Sequence, residues 1–304
     1  MTSVIIPTRD AAKQIRGLLT ALKSQTVRCE IIIVDSSSVD GTAEIARSFG
    51  AEVMAIERED FDHGGTRTLA GEKAKGDILV FMTQDAMPAD EHAIENLLAP
   101  FQDQTVAAAY GRQLPHRDAS LFGAHLRLFN YPEISCVRSV TDKETYKIKT
   151  PFLSNSFAAY RKSVLKDIGG FRKRLIVSED TCAGAELLLA GYKIAYTAEA
   201  RVYHSHNYTV LQEFRRYFDI GVFHETEHWI LDKFGKAEGE GKRYIRSELD
   251  FIVRQRKYYL LPELLIRNCL KYAGYRLGRI HERIPLFIVK KISMHRGWWN
   301  SGNA

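Results

Sequence analysis

The sequence predicts an α/β fold in which a mostly parallel β-sheet is followed by a basic, helical C-terminal region. In the first half, short continuous β-branched runs alternate with amphipathic stretches, which is typical of a parallel sheet covered by helices on both faces. From residue 210 onward the chain is helix-like almost throughout. We therefore expect one large α/β domain over residues 1–210 and a helical region over residues 211–304.

The elements follow one another at short intervals along the chain. An apolar fraction of 45% in 304 residues is enough for a sizeable core and excludes disordered and fibrous classes. Strands are predicted at 4–6, 31–34, 52–56, 78–82, 106–110, 193–196 and 201–203, and helices at 11–24, 42–49, 66–75, 91–100 and 178–190. A helix breaker is predicted at 235–241. In such sheets ligands bind beyond the carboxyl ends of the strands, so the residues that end each strand are the candidates for a site.

Charge is distributed unevenly between the two regions. The chain has 43 basic and 37 acidic residues, a net charge of +6. From residue 242 to the end there are 14 basic and 4 acidic residues, or +10, which leaves −4 for the preceding 241 residues. Basic residues mixed with Tyr, Leu, Ile, Phe and Trp at helical spacing favour attachment to an anionic membrane surface. The alternatives are a solvated extension, which could pack into a homo-oligomer, and nucleic-acid binding, for which no motif is present.

Cysteine usage and hydropathy predict a cytoplasmic setting. The four cysteines, at 29, 136, 182 and 269, lie far apart without a CxxC pair, so we expect neither a disulfide framework nor a structural zinc site. No apolar run approaches the roughly 18 residues of a membrane span, and the first residues have the pattern of a strand rather than a signal peptide. With the basic C-terminal region, this predicts a peripheral protein on the inner face of the cell membrane.

The first two strand ends carry polar residues that could contact a nucleotide. Pro7, Thr8 and Arg9 end the first strand, and the absence of a GxGxxG turn there excludes a dinucleotide-binding fold. Asp35 ends the second strand and can accept a hydrogen bond from a nucleoside. The alternative for Asp35 is a turn residue or a helix N-cap.

A glycine-rich segment precedes the third predicted helix. His63, Gly64 and Gly65 lead into Thr66 and Arg67. Two glycines would let the backbone approach a ligand closely, and the helix N-terminus offers free N–H groups to anionic oxygen. Arg67 could donate to a phosphate or a base carbonyl. The alternative is an ordinary turn with Thr66 as the N-cap.

Two further segments carry candidate metal ligands. Gln84 and Asp85 end the fourth strand, where a carboxylate can hold a divalent cation that bridges a diphosphate, although a lone Asp is as often a turn residue. His204 and His206 alternate on the last predicted strand, so both imidazoles would face the same side. Two histidines are not a zinc site, and one of them could be a core residue.

The order and spacing of these motifs resemble the family-2 glycosyltransferases of GT-A fold over roughly residues 1–220. The segments are PTRD, IIIVDSSSVDGT, FDHGGTRTLA, GDILVFMTQDAMP, SEDTCAGAELLLAGYKIAY and VYHSHNYT. HGGTR followed by TQDA is similar to the bacterial rhamnosyltransferase subgroup, which builds O-antigen and related polysaccharides. The resemblance implies an inverting enzyme that moves a sugar, L-rhamnose from dTDP-L-rhamnose, onto a lipid-linked glycan. The alternatives are a UDP-hexose donor or a nucleotide-binding membrane scaffold with a decayed site.

The resemblance also implies a role for each candidate residue. Asp180 would be the catalytic base beside Glu179, although Ser178, Glu179 and Asp180 also make a good helix start. Thr83 stands where the family's metal motif usually has its first Asp. The expected donor contacts are Pro7, Thr8, Arg9, Asp35, His63, Gly64, Gly65, Arg67 and Gln84, and the expected ligands of a divalent Mg or Mn ion are Asp85, His204 and His206.

Overall fold

A single mixed sheet runs through the middle of the protein in the computed structural model, which describes residues 1–235 and 238–300. Its strands are β1 (Thr2–Thr8), β2 (Glu30–Ser36), β3 (Glu52–Ile56), β4 (Ile78–Met82), β5 (Met87–Pro88), β6 (Val106–Leu114), β7 (Cys136–Arg138), β8 (Phe157–Arg161) and β9 (Lys193–Tyr203). Their order is β3-β2-β1-β4-β8-β6-β9-β5, and β7 pairs with β9.

The first four strands are parallel, as the sequence predicts. Strand β1 pairs in parallel with β2 and β4, and β2 with β3. Strand β8 is antiparallel to both β4 and β6, while β6 and β9 are parallel. The predicted mostly parallel α/β fold is therefore confirmed. The carboxyl ends of β1, β2, β4, β6 and β9 meet along one edge of the sheet.

Helices cover both faces of this sheet. The helices of the described residues are α1 (Ala12–Lys23), α2 (Thr42–Ser48), α3 (His63–Lys73), α4 (Ala93–Leu98), α5 (Leu121–Asn130), α6 (Lys143–Tyr146), α7 (Lys162–Asp167), α8 (Glu179–Leu189), α9 (Val210–Thr226), α10 (His228–Phe234), α11 (Glu238–Arg254), α12 (Leu261–Gly278) and α13 (Leu286–Ile292). Alternate residues of β1 enter different apolar clusters, Ile5 in one and Val4 and Ile6 in the other. This burial on both faces explains why residues 4–6 of β1 are all apolar.

The C-terminal helices pack onto one of these two clusters. Phe218 and Val222 of α9 and Trp299 near the C-terminus belong to the same cluster as Ile5 of the central strand. Helix α12 lies against α9 at very short range, since a side chain on Gly278 would meet the carbonyl oxygen of Phe218 at 2.1 Å. The division into 1–210 and 211–304 stays a prediction. None of the described helices has the length and apolar character required to cross a membrane.

Three local predictions are wrong. The strands predicted at 193–196 and 201–203 form one strand, β9, which is bulged where its register with β6 shifts between Gly111 and Arg112. A bulge adds residues to one strand without ending it, and sequence periodicity then suggests a gap. His204 and His206 lie beyond the end of β9 rather than on a strand. The breaker predicted at 235–241 is wrong from Glu238 onward, where α11 begins, and residues 236–237 lie outside the described residues.

Candidate active site

Three candidate metal ligands come together at the carboxyl edge of the sheet. Asp85 lies in the turn after β4, which is closed by a hydrogen bond from the Ala86 N–H to the Thr83 carbonyl oxygen at 3.1 Å. Nε2 of His204 is 3.5 Å from Oδ1 of Asp85, and Nε2 of His206 is 3.8 Å from Oδ2. Ligand atoms of all three residues lie within 4.8 Å of one another, although the two histidines come from the segment after β9.

The electrostatics of this cluster suit a cation. Burial would raise the pKa of Asp85, but the hydrogen bond and charge of His204, with help from Thr83 and His206, hold that pKa well below its ordinary value. Burial and the neighbouring His204 lower the pKa of His206 to about 4. An ionised carboxylate beside a neutral imidazole is the protonation state in which these groups bind a metal.

Two carboxylates begin helix α8 in different surroundings. Glu179 is buried, with Oε1 3.1 Å from Nη1 of Arg67 and 3.1 Å from the donating side-chain amide of Asn155. Asp180 is only partly buried. Its Oδ2 accepts from the Asn155 N–H at 3.1 Å and its Oδ1 from the Thr181 N–H at 2.7 Å. Glu179 is therefore held in an ion pair, whereas the donors to Asp180 among the described residues are uncharged.

These surroundings shift the pKa values of the two carboxyl groups in opposite directions. Burial would raise the pKa of Glu179, but Arg67 and His63 hold it below its ordinary value. Burial and the neighbouring Glu179 raise the pKa of Asp180 to about 7. Two adjacent carboxyl groups with opposite shifts divide into a permanently ionised group and a group that can take up a proton near neutral pH.

The glycine-rich segment is the first turn of α3, not a loop before it. The helix begins at His63, and Asp62 is its N-cap, because the Asp62 side chain accepts from the Gly65 N–H. The alternative in which Thr66 caps the helix is therefore wrong. A side chain on Gly64 would meet the carbonyl oxygen of Arg172 at 1.9 Å. The backbone that approaches Gly64 closely thus belongs to this chain.

The same turn directs Arg67 toward the carboxylates. Arg67 is buried, and its Nη1 donates to the His63 carbonyl oxygen at 2.9 Å besides pairing with Glu179. Ser178, the alternative cap of α8, has a left-handed φ of 65° and makes no capping hydrogen bond. Glu179 and Asp180 are accordingly presented by a tight left-handed turn.

The predicted nucleoside contacts lie together at the ends of β1, β2 and β4. Oδ1 of Asp35 accepts from Oγ1 of Thr8 at 3.1 Å and from Oγ of Ser38 at 2.6 Å. Gln84 accepts from the Arg9 N–H at 2.8 Å and donates to the Arg9 carbonyl oxygen at 3.2 Å. These bonds tie three strand ends into one surface next to Asp85. Contact of this surface, including Pro7, with a nucleotide stays a prediction.

Sequence reasoning missed two residues of the site. Asn155 holds both carboxylates and is itself fixed by the hydroxyl of Tyr160, which donates to its Oδ1 at 2.8 Å. His295 comes from the C-terminal segment, and its ring centroid is 5.7 Å from that of His63. Both are single polar residues without motif spacing, so the sequence carries no signal for either.

The C-terminal segment is held at the site by a buried carboxylate. Oδ2 of Asp219 in α9 accepts from the N–H groups of Met294 and His295 at 2.9 and 3.1 Å. Burial lowers the pKa of His295 to about 4, so this imidazole is neutral at physiological pH. Trp298 donates from Nε1 to the carbonyl oxygen of Arg174 at 2.8 Å, in the loop before α8.

Comparison with known proteins gives relatives along nearly the whole chain. The chain is 44% identical over 302 residues to the O-antigen chain rhamnosyltransferase RfbN of Salmonella typhimurium, covering 98% of this chain and 96% of that protein. It is 43% identical, with the same coverage, to the O-antigen chain rhamnosyltransferase WbaN of Salmonella anatum.

Solved structures share the fold at low sequence identity. A mannosyltransferase from Pyrobaculum calidifontis in complex with GDP-Man and Mn²⁺ has a TM-score of 0.58 and 18% identity, covering 98% of this chain and 84% of that one. S. aureus TarS 1–349 in complex with UDP-GlcNAc has a TM-score of 0.55 and 18% identity, covering 93% of this chain and 91% of that one. These similarities confirm the GT-A fold expected from the sequence. Residues 3–169 match the family described as Glycosyl transferase family 2, and the chain belongs to this family of glycosyltransferases.

Proposed function

We propose that the protein transfers L-rhamnose from dTDP-L-rhamnose to a hydroxyl group of a lipid-linked glycan in O-antigen synthesis. The observation that carries this proposal is the 44% identity over 98% of the chain to a protein named as an O-antigen chain rhamnosyltransferase. This similarity spans the C-terminal region as well as the sheet.

Asp180 is the proposed general base. In the reaction, the acceptor oxygen forms a bond to the anomeric carbon while the bond from that carbon to the diphosphate oxygen breaks. The bonding electron pair leaves with the nucleoside diphosphate, and the acceptor proton passes to Asp180. Attack opposite the leaving group inverts the configuration of the sugar. A pKa of about 7 supports this role, because a base is most effective when its pKa lies near the working pH.

Asp85, His204 and His206 are proposed to hold a divalent Mg or Mn ion. One carboxylate and two imidazoles, with ligand atoms within 4.8 Å of one another, form a donor set that suits Mn²⁺ better than Mg²⁺, because imidazole is a ligand of transition metals and Mg²⁺ prefers oxygen. When bound, the ion would stabilise the charge that develops on the leaving diphosphate. Thr8, Arg9, Asp35 and Gln84 then border the place for the nucleoside, next to Asp85.

Donor turnover tests this function. The purified chain is incubated with dTDP-L-rhamnose, with and without Mn²⁺, and with hexoses and N-acetylhexosamines linked through a diphosphate to a short alkyl chain. We expect metal-dependent transfer to at least one of these acceptors and release of dTDP. Turnover with UDP-hexoses alone would assign a UDP-hexose donor. Nucleotide binding without turnover under every condition would instead support the nucleotide-binding membrane scaffold with a decayed site.

Attachment to an anionic membrane surface is proposed through helix α12, whose polarity is inverted. Its outward residues Leu265, Ile266 and Tyr272 are 63%, 53% and 61% exposed. On its inward side, Arg267 and Lys271 are buried in ion pairs with Glu213 at 3.0 and 3.6 Å. Leu265 and Tyr272, two turns apart, lie on one helix face that Ile266 borders, and they are placed to enter a lipid interface. The +10 charge of residues 242–304 complements anionic headgroups.

Vesicle sedimentation tests this attachment. The protein should bind vesicles of phosphatidylglycerol and phosphatidylcholine, and Leu265→Glu with Ile266→Glu should reduce the bound fraction severalfold. The matched control is Ile134→Glu, because Ile134 is 80% exposed but lies far along the chain from α12. Unchanged vesicle binding in the double variant would overturn the proposed surface. A change from dimer to monomer in sedimentation velocity, with unchanged vesicle binding, would assign the face to a homo-oligomer.

A further inference from the structure

A buried glutamine contacts His204, one of the candidate metal ligands. Gln113 on β6 is almost fully buried, and its Oε1 is 2.8 Å from Nδ1 of His204. The same oxygen accepts a hydrogen bond from Nη1 of Arg127 on α5. The amide nitrogen of Gln113 donates to Oγ of Ser154 at 2.9 Å. Every polar atom of this side chain therefore has a partner.

These contacts determine which nitrogen of His204 carries hydrogen. A guanidinium can only donate, so the Gln113 atom that meets Arg127 must be the amide oxygen. That oxygen can only accept, so Nδ1 of His204 must be the donor in the bond between them. The other ring nitrogen, Nε2, faces Oδ1 of Asp85 at 3.5 Å. When His204 is neutral, its lone pair is therefore on Nε2, which faces Asp85 and the place where a cation would lie. The hydrogen that Nε2 donates to Asp85 in the absence of a cation would be released on metal binding.

We propose that Gln113 is a positioning residue of the metal centre: it fixes the tautomer and the ring orientation of His204, and Arg127 fixes Gln113. This inference rests on the proposed metal-binding role of Asp85, His204 and His206. Groups that hydrogen-bond to metal-binding histidines orient the ring, and their substitution typically costs about 10- to 100-fold in metal affinity.

The bulge in β9 makes this contact possible. Beyond the register shift, Gln113 of β6 is opposite Val202 of β9, and the His204 N–H donates to the Leu114 carbonyl oxygen at 2.9 Å. Without the extra residues in β9, a different pair of residues would meet at this edge. A buried amide within the otherwise largely apolar strand β6 is costly to desolvate, and its hydrogen bonds to His204 and Arg127 offset that cost.

Titration with Mn²⁺ alone tests the proposal. Gln113→Met keeps the length of the side chain but cannot accept from His204, and we expect the Kd for Mn²⁺ measured by calorimetry to rise about 10- to 100-fold. Gln113→Glu retains an acceptor for both His204 and Arg127, so it should bind Mn²⁺ at least as tightly as the wild type. The matched control is Gln25→Met, which removes another buried amide, one that donates to the Asp90 carbonyl oxygen at 2.8 Å. Its Mn²⁺ affinity should not change.

A nitrogen-15 spectrum of the imidazoles gives a second readout that does not depend on any variant. In the wild type, the Nδ1 signal of His204 should be that of a protonated nitrogen, and in Gln113→Met it should shift toward a mixture of tautomers. A wild-type spectrum with an unprotonated Nδ1 would overturn the proposal even if Gln113→Met failed to fold. Wild-type Mn²⁺ affinity in Gln113→Met, with weakened affinity in Asp85→Ala, would also overturn it. Unchanged affinity in Asp85→Ala would instead refute the proposed metal site.

Discussion

Replacing Asp180 by Asn tests its proposed role as the general base. The substitution removes the proton acceptor but keeps the size of the side chain and one oxygen that can accept from a backbone N–H. A general base typically contributes about 10²- to 10⁴-fold to a rate, so transfer should fall by that amount. Donor affinity should stay within about twofold, because Asp180 accepts only from Asn155 and Thr181 and has no described contact with Asp85 or the nucleoside surface.

The pH dependence of transfer follows from the same group. Burial and Glu179 raise the pKa of Asp180 to about 7, and only the ionised form accepts a proton. The wild-type rate should therefore fall about tenfold per pH unit below that value and level off above it. The residual rate of Asp180→Asn should lack this dependence. The assay is initial-rate transfer with saturating dTDP-L-rhamnose across the pH range.

As the pH rises, the free energy of unfolding of the wild type should fall while its transfer rate rises. Because the folded pKa of Asp180 is raised from 3.8 to about 7, the folded state binds the proton more tightly, and wild-type stability is lost as pH rises through this window. The shift corresponds to about 4 kcal/mol, which solvent screening of this partly exposed group reduces to on the order of 2 kcal/mol. The unfolding free energy of Asp180→Asn relative to wild type should therefore increase by most of that amount from about pH 4 to about pH 8.

Asp167→Asn is the control for these measurements. Asp167→Asn changes an exposed carboxylate at the end of α7 and should alter neither transfer nor the pH dependence of stability. Wild-type transfer rates in Asp180→Asn would refute its role as the base. A stability difference that does not change with pH, measured by urea denaturation, would refute the raised pKa and the reasoning from burial beside Glu179.

Three other substitutions test separate parts of the structure. Asp85→Ala should weaken donor binding in the presence of Mn²⁺ and leave metal-free binding unchanged, so equal affinities across a Mn²⁺ titration would contradict the metal site. Arg67→Met leaves Glu179 buried without its cation and should cost about 3–5 kcal/mol in urea denaturation, whereas a loss below about 1 kcal/mol would mean that the ion pair is unimportant. Trp299→Ala removes a buried ring packed near Phe218 and should cost about 3–5 kcal/mol, and an unchanged Tm would show that the C-terminal segment is not part of the folded core.

The sequence was most informative where a local pattern fixes an element. Strand β1 is recognisable because both of its faces are buried, so that residues 4–6 in its middle are all apolar. Asp85 could be placed because the end of a central strand is predictable from the end of its apolar run. The position of Asp180 in the first turn of a helix was predictable because acidic residues favour a helix start. The prediction that His204 lies on a strand failed, because β9 ends one residue earlier, at Tyr203.

Partners distant in sequence could not be inferred in this way. Gly64 has the composition of a ligand-binding turn, but the backbone that approaches it is that of Arg172. Contact of Arg67 with a phosphate or a base carbonyl stays a prediction, and in the structure Arg67 pairs with Glu179. Both outcomes arise because the loop before α8 folds back onto the first turn of α3, and residues more than a hundred positions apart leave no common pattern in the sequence.

The sequence by itself determined the α/β class and the division of charge, and it placed Asp85 at the end of a strand and Asp180 at the start of a helix, since each follows from apolar runs and residue types along a short stretch. Only the tertiary structure decided that Gln113 orients His204, that Glu179 rather than Asp180 is neutralised by Arg67, and that His295 of the basic C-terminal region lies beside His63. The physical reason is that buried polar groups must be paired, and which groups pair is set by packing between elements rather than by periodicity within them.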